Sequence, residues 1–265
     1  MIPTPHSDLT LGHGTHPGET GKNNEDRYAV QSYYGEGGAT ITLGVVADGI
    51  GGNRAGEVAS DLAVRHVTQT VGNGSGTDYA QMLNEAVSQA ARAVQAEAQA
   101  NPDLKGMGTT CAAALVAYRR LYTAYVGDSR IYLARKGSII QTSVDHTFVQ
   151  EAIESGLLSP AEAKAHPHRH VVRRHLGADP NVRADFRLRL AEDEAPEQSM
   201  RNQGVQLEPG NQVFICSDGL SDLVEAPEIL QVLTGRPVQK AVDELILLAR
   251  RRGGHDNITV ILMQV

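Results

Sequence analysis

Two stretches of the sequence each place an aspartate and a glycine directly after an apolar run. They are VVADGIGG, which contains Asp48, and FICSDGLSD, which contains Asp218. Asp-Gly between apolar runs is a common hairpin signal, so a simple turn is one interpretation of each. The other interpretation is chemical, because the ends of strands that share a sheet edge lie close together and would bring their acids to one place.

Two further aspartates have similar surroundings and strengthen the chemical interpretation. Asp128 lies in the turn of YVGDSR, and Asp256 precedes the last apolar run in GGHDNITV. Taken alone, each of these acids is typical of a turn or a cap. Taken together they would repel, since two carboxylates about 4 Å apart cost roughly 4 kcal/mol at an effective dielectric of about 20. A divalent cation would remove that cost.

The ligand types favour Mg²⁺ or Mn²⁺, because hard oxygen donors without cysteine or an obligatory histidine do not suit zinc. Gly49 frees the backbone after Asp48, so that its carbonyl could face the ion. Glu25 and Asp26 in KNNEDRY add carboxylates at the start of a strand, with a solvated charged turn as the alternative. Two ions about 4 Å apart would clamp a bridging water and stabilise an in-line displacement at phosphorus. The sequence therefore predicts metal-assisted hydrolysis.

Helical patterns predict the elements that cover these strands. From Ala55, small and apolar residues recur on one helical face, and Asn53 is the expected N-cap. The Ala- and Gln-rich segment 79–100 predicts a long helix that ends at Asn101-Pro102. PVQKAVDELILLARRRGG predicts another helix, opened by proline and closed by glycine.

Short β-rich runs predict the sheets. Residues 40–48, NQVFICSD and DNITVILMQV predict strands, and the runs GTTCAAALVAY, LYTAYVGD and SRIYLARKG follow one another through brief links. Such links predict antiparallel hairpins. Strands and long helices without strict βαβ alternation predict an α+β fold of packed antiparallel sheet covered by helices.

The segment from Asp145 to about Pro180 is less regular and predicts an insertion or lid. It holds two short helical patterns, TFVQEAIESG and SPAEAKAH, and then the basic run HPHRHVVRRH. A solvated loop is the simpler interpretation of that run, and a surface that meets an anionic ligand is the alternative.

Composition limits the function classes. The 265 residues carry a net charge of −7 without a long block of Lys or Arg, which argues against nucleic acid as a partner. The two cysteines, Cys111 and Cys216, lie in apolar runs and predict buried free thiols. No signal-peptide pattern or membrane span is found in the sequence, so we expect a cytoplasmic protein. From the length we expect one domain over residues 1–265, and we also expect a monomer.

Eight motifs resemble, in order and with similar spacing, those of the metal-dependent serine/threonine protein phosphatases of the protein phosphatase 2C type (PPM family), especially the compact bacterial ones. The motifs are THPGETGKNNEDRY, VVADGIGGNRAGEVAS, GTTCAAALV, AYVGDSRIYLAR, SVDHTFVQEAIESGLL, HLGADP, VFICSDGLSDLV and GGHDNITVIL. The resemblance covers nearly the whole chain. It implies a sandwich of two antiparallel sheets flanked by helices, with a dinuclear Mn²⁺ or Mg²⁺ centre at one end.

The resemblance also implies a role for each acid. Phosphoserine and phosphothreonine in proteins would be hydrolysed by a water that bridges two metals, in opposition to a Ser/Thr kinase. The implied metal ligands are Asp48 as the bridge, the Gly49 carbonyl, Asp218 and Asp256, the pair Glu25 and Asp26 directly or through water, and Asp128 for a third, weaker metal. The irregular segment 145–180 would be the flap beside the active site.

Two positions depart from the family pattern. Gly21 stands where an arginine four residues before the glutamate would grip phosphate, and the adjacent Lys22 is a point charge without that bidentate fork. We therefore predict weak phosphate binding. Ile50 stands where some relatives carry a histidine proposed as general acid, which leaves the proton donor open between a metal-bound water and a residue not identified. His146 and His255 lie near motif residues, and a structural or surface histidine is the simpler interpretation of each.

Two other functions remain as alternatives. A non-catalytic relative would serve as a binding or regulatory module, and its expected signature is the loss of a metal aspartate, whereas Asp48, Asp218 and Asp256 are all present. A two-metal hydrolase of small phosphoesters is the second alternative, and the number of ordered motifs argues against it.

Overall fold

The computed structural model describes residues 1–51, 55–179 and 181–265. The strands are β1 Ile2–Thr4, β2 Thr10–His16, β3 Arg27–Tyr34, β4 Thr40–Ala47, β5 Gly49–Ile50, β6 Gly108–Thr109, β7 Cys111–Ala117, β8 Arg120–Val126, β9 Arg130–Arg135, β10 Ser138–Gln141, β11 Val205–Gln206, β12 Gln212–Cys216 and β13 Ile258–Gln264. The helices are α1 Ala55–Asn73, α2 Tyr79–Ala100, α3 Phe148–Glu154, α4 Pro160–Lys164, α5 Pro196–Arg201, α6 Asp218–Ser221, α7 Ala226–Leu233 and α8 Val238–Arg251, with 3-10 turns at Glu36–Gly38 and Pro102–Leu104.

Two antiparallel sheets form the centre of the fold. The first has the order β1-β3-β4-β7-β8-β11 and the second the order β10-β9-β12-β13-β2, while β5 and β6 form a small separate pair. Alternation along the strands divides the core, because neighbouring side chains of a strand point to opposite faces. Val45 packs among residues of α1 and α2, whereas Val46 packs against the second sheet. Helices α7 and α8 cover the outer face of the second sheet. The predicted α+β sandwich is confirmed.

The two longest helices follow their sequence patterns. Ala55, Ala59 and Ala63 of α1 are buried on one face. Helix α2 has the predicted bounds, and the side chain of Asp78 caps its start by accepting a hydrogen bond from the Gln81 backbone. The predicted N-cap of α1, Asn53, lies outside the described residues.

The prediction of successive hairpins is right for β7 and β8 but wrong for β8 and β9. Strand β8 pairs with β7 in the first sheet, whereas β9 pairs with β10 and β12 in the second. The chain therefore crosses between the sheets at Gly127 and Asp128. Gly127 has φ +106°, and a Cβ there would lie 2.6 Å from the Thr110 Cβ, so the crossing requires glycine.

Two further sequence predictions concern the two cysteines and membrane-spanning helices. Both cysteines, Cys111 and Cys216, are buried and free, as predicted. Within the described residues, no helix is both long enough and apolar enough to cross a membrane.

Candidate active site

The predicted acids follow or precede strand ends that meet at one end of the sandwich. The registers that show this are Arg27↔Ala47, Val46↔Ala112, Cys111↔Val126, Cys216↔Arg130 and Cys216↔Val260. Residues just after β4, β8 and β12, and just before β3 and β13, therefore lie at this shared end. This is the convergence that the sequence predicted.

An open pocket of about 1070 Å³ occupies this end. Six of the predicted site residues line it, namely Lys22, Glu25, Asp48, Gly49, Asp218 and Asp256. Asp26 and Asp128 do not line the pocket and are buried, with 1% and 7% of their surface exposed. The pocket is thus acidic at its walls, with two further acids in the protein interior.

Hydrogen bonds to the Asp48 backbone hold that residue in place. Its N–H donates to Thr110 Oγ1 at 2.9 Å, and its carbonyl accepts from the Thr110 N–H at 2.9 Å and from Thr109 Oγ1 at 2.8 Å. Thr110 Oγ1 also lies 2.7 Å from Ser129 Oγ, next to the crossing that carries Asp128. Thr110 therefore fixes the two acid-bearing segments relative to each other.

Neither Asp-Gly pair forms a hairpin turn. In each pair the glycine allows another backbone segment to pack directly against it. Asp48 joins β4 to β5, and Asp218 begins α6. A Cβ on Gly49 would lie 2.7 Å from the Glu25 carbonyl oxygen, and one on Gly219 would lie 2.0 Å from the Asn257 carbonyl oxygen. Neither glycine has a positive φ. The glycines are required because other backbone segments pack directly against them.

Neighbouring polar residues position the pair Glu25 and Asp26. The Glu25 N–H donates to Asn257 Oδ1 at 2.7 Å, and Asp26 Oδ2 accepts from Ser217 Oγ at 2.8 Å. The Asn257 amide also donates to the carbonyls of Pro17 and Asn23. One asparagine and one serine therefore tie the N-terminal acids to the ends of β12 and β13.

Burial and mutual repulsion raise the pKa values of these acids. Burial first, then the charges of Asp218 and Asp256, raises the pKa of Asp26 to about 7, although hydrogen bonds from Thr259 and Ser217 oppose the shift. Burial, and then Asp222 and Asp256, raises the pKa of Asp218 to about 6.

The other acids show the same effect. The pKa of Asp48 is raised well above its usual value by burial and then by Asp26 and Asp218. Burial and then Asp218 raise the pKa of Asp128 as well. Glu25 has a raised pKa through partial burial and then the charge of Asp256. The acids are therefore close enough to resist simultaneous ionisation.

The donor set suits a hard divalent cation. Asp26 Oδ1 and Asp218 Oδ1 are buried and have no hydrogen-bond partner within the described part of the chain. Buried polar atoms are normally paired, so such orphaned oxygens favour an ion as their partner. Among the residues that the structure describes, no three Asp, Glu, His or Cys side chains are already grouped around one ion position. Ion binding would therefore require the carboxylates to turn towards a shared point.

Of the two positions that depart from the family pattern, Ile50 lines the pocket, and Gly21 directly precedes Lys22, which also lines it. Gly21 is exposed with φ +74°, and nothing lies within 4 Å of a Cβ placed there. Lys22 is exposed and lines the pocket, and Ile50 also lines it. His255 is an exposed residue of the pocket wall.

His146, in contrast, is buried away from the pocket lining. Its Nδ1 accepts from the Gly127 N–H at 3.0 Å, which places the ring proton on Nε2, 3.2 Å from Asp185 Oδ2. Burial lowers the pKa of His146. This histidine therefore supports the sheet crossing that carries Asp128.

Sequence reasoning missed several residues at this end of the fold. Arg169, His170 and His175 of the flap line the pocket, which favours the anionic-ligand interpretation of the basic run. Asp222 lines it too and forms an ion pair with His170. Ser217 and Asn257 directly flank predicted ligands in the chain, so their adjacency was the available signal. Pro180, at the predicted end of the flap, lies outside the described residues.

Comparison with known proteins finds a matching family profile and several relatives. The family profile of protein phosphatase 2C matches residues 13–262. The serine/threonine protein phosphatase PstP of Mycobacterium tuberculosis is 37% identical over 243 residues, which are 92% of this chain. This chain spans 42% of the length of PstP. The serine/threonine phosphatase stp of Listeria monocytogenes is 32% identical over 225 residues, with 83% of each chain covered.

Solved structures show the same likeness. The catalytic domain of PstP in complex with two manganese ions superposes with a TM-score of 0.78 at 34% identity, covering 97% of both chains. Stp1 of Staphylococcus aureus superposes with a TM-score of 0.83 at 28% identity, covering 98% of this chain and 96% of that one. With a family match over almost all of its length and relatives above 30% identity, this chain belongs to the protein phosphatase 2C family.

Proposed function

We propose that this chain is a metal-dependent phosphatase that hydrolyses phosphoserine and phosphothreonine in proteins. The observation that carries the proposal is the convergence of five aspartates at one end of the sandwich, namely Asp26, Asp48, Asp128, Asp218 and Asp256. Burial and neighbouring charges raise the pKa values of the first four. Such a cluster is costly without cations and well suited to them. The manganese complex of the related PstP domain supports Mn²⁺ or Mg²⁺ as the metal.

Each site residue receives a specific role in the proposal. Asp48 would contact both ions, with the Gly49 carbonyl on one of them and Asp218 and Asp256 on the other. Glu25 and Asp26 would bind directly or through water, and Asp128 would hold a third, weaker ion. Two bound cations supply Lewis-acid activation of a water nucleophile and neutralise charge on the phosphoryl group.

The chain's own residues would hold the substrate phosphate. Lys22 is exposed and lines the pocket, and in this proposal its ammonium group would contact the phosphate as a point charge. Substrates would be proteins phosphorylated by a Ser/Thr kinase, whose action this chain would oppose as a cytoplasmic monomer. A binding module without catalysis is the less favoured function, since all the predicted metal aspartates are present.

The proposal is tested with a phosphothreonine peptide in Mn²⁺. We expect turnover in Mn²⁺, loss of turnover in EDTA, and a loss of at least about a hundredfold in Asp218→Ala, because removing a metal ligand removes the activation that the ions supply. Asp61→Ala, on the exposed face of α1, is the matched control and is expected to keep full activity. Turnover by the parent chain that is absent, or that continues unchanged in EDTA, would contradict the proposal.

A further inference from the structure

A histidine and a carboxylate face each other at the mouth of the pocket. His170 Nδ1 lies 2.9 Å from Asp222 Oδ2, with 46% and 35% of the two side chains exposed. His170 comes from the flap, whereas Asp222 caps the end of α6, where its N–H donates to the Asp218 carbonyl at 2.8 Å. The pair therefore joins the flap to the helix that begins with a predicted metal ligand.

The ion pair fixes the orientation of the imidazole. With Nδ1–H donating to the carboxylate, Nε2 is the ring atom left for a ligand, and it has no hydrogen-bond partner within the described residues. A carboxylate that holds a histidine in this way sets the orientation of the ring. Such a ring can release a proton from Nε2 to a group in the pocket.

The other basic side chains that line the pocket are less suited to donate a proton to the leaving group. Arginine and lysine side chains are better suited to binding phosphate than to donating a proton near neutral pH, which argues against Arg169 and Lys22. His175 is turned towards the backbone, with Nδ1 3.1 Å from the Leu176 carbonyl oxygen. Among the histidines of the described pocket lining, His170 is the one that contacts a carboxylate.

The burial of the acids indicates on which side of the phosphorus the proton is needed. Asp26 and Asp128 are buried and Asp48 and Asp218 are partly buried, whereas Asp256 is exposed. A water nucleophile among the buried acids would therefore start from the deep side. In an in-line displacement the leaving oxygen lies on the far side of the phosphorus. That oxygen carries the polypeptide, which must remain outside, and His170 lies at the exposed mouth.

We infer that His170 is the general acid of the phosphatase reaction proposed above, on which this inference rests, and that Asp222 is its positioning residue. As the water oxygen bonds to phosphorus, the bond from phosphorus to the serine or threonine oxygen breaks. The electron pair of that bond stays on the leaving oxygen, which takes the proton from His170 Nε2. The neutral imidazole then regains a proton from solvent.

Two substrates with different leaving groups test the assignment. An alkoxide leaving group needs protonation, whereas p-nitrophenolate leaves without it. We expect His170→Ala and His170→Gln to lose about 10²- to 10⁴-fold in kcat on a phosphothreonine peptide, the range that general acids contribute, and to change little on p-nitrophenyl phosphate. Asp222→Asn should show the same substrate selectivity in smaller measure, because its amide holds the ring less firmly.

His168→Ala is the matched control, since His168 is exposed in the same segment and does not line the pocket. It should leave both rates unchanged. A thermal-unfolding titration with Mn²⁺ should give the same shift in Tm for His170→Ala as for the parent chain, which shows intact metal binding.

Several results would overturn the inference. Equal losses on both substrates would assign His170 to phosphate binding, and unchanged rates on both would remove it from the reaction. A parent chain that turns over neither substrate in Mn²⁺ would overturn the proposed function, and this inference with it.

Discussion

Replacing Asp26 with asparagine is expected to stabilise the metal-free protein above neutral pH. Burial and neighbouring acids raise the pKa of Asp26 from 3.8 to about 7. Between these values the native state keeps a proton that the unfolded chain has released, so unfolding free energy falls as pH rises through this window. The contribution of Asp26 is fully present below the unfolded value and is lost above pH 7.

The magnitude follows from the size of that shift. One pKa unit corresponds to about 1.4 kcal/mol, so ionised Asp26 costs roughly 4 kcal/mol of unfolding free energy at pH 8. Asparagine has the same shape and cannot ionise, and its amide oxygen can still accept from Ser217 Oγ. We expect Asp26→Asn to be more stable than the parent chain at pH 8 by roughly 2 to 4 kcal/mol, with the gain shrinking by roughly 2 kcal/mol between pH 7 and pH 5.

Urea unfolding in EDTA at pH 5, 6, 7 and 8 measures this difference. The lowered pKa of His146 makes the free energy of unfolding rise with pH. The parent chain and the variant share this effect, so it cancels in their difference. Asp61→Asn is the matched control, because Asp61 is half exposed and pairs with Arg65 on α1, and its effect should stay within about 0.5 kcal/mol at every pH. A variant that is less stable than the parent chain at pH 8, or a gain that does not change with pH, would refute the reasoning.

Two further substitutions test the glycines of the site. Gly219→Ala should lower the free energy of unfolding by about 3 kcal/mol or more, because its Cβ would lie 2.0 Å from the Asn257 carbonyl oxygen. Gly14→Ala is the matched control and should cost about 1 kcal/mol in a urea titration, because the close contact of its Cβ is with the end of the flexible Ile246 side chain, at 2.9 Å. Equal costs would show that the backbone yields at Gly219. Gly21→Arg should lower KM for a phosphopeptide by about tenfold through a bidentate contact that Lys22 cannot make, and Gly21→Ala, which shares the strain of φ +74°, should not. An unchanged KM in the arginine variant would contradict this.

Helix α2 and the convergence of the acids could be predicted because their signals are local. The composition and the flanking residues Asp78 and Asn101 set the bounds of the helix. The convergence followed from counting acids at the ends of apolar runs. Both inferences hold without knowing which strand pairs with which.

The crossing at Gly127 and Asp128 could not be predicted in this way. The sequence YVGDSR is as suitable for a hairpin as for a crossing between sheets. What decides is the partner of β9, where Arg130 pairs with Cys216 far along the chain. The pair His170 and Asp222 was missed for the same reason, because long-range packing brings the flap against α6.

The Asp-Gly steps show how the fold and the site depend on each other. Gly49 admits the backbone of Glu25, and Gly219 admits the backbone of Asn257, which in turn holds the Glu25 N–H. Glu25 and Asp26 therefore reach their places only when chain segments about two hundred residues apart are packed together. Since the assembled acids repel, the same packing that forms the site also lowers the stability of the metal-free protein. Metal binding and folding must then be coupled, so Mn²⁺ should stabilise the native state most at the pH where these acids are ionised.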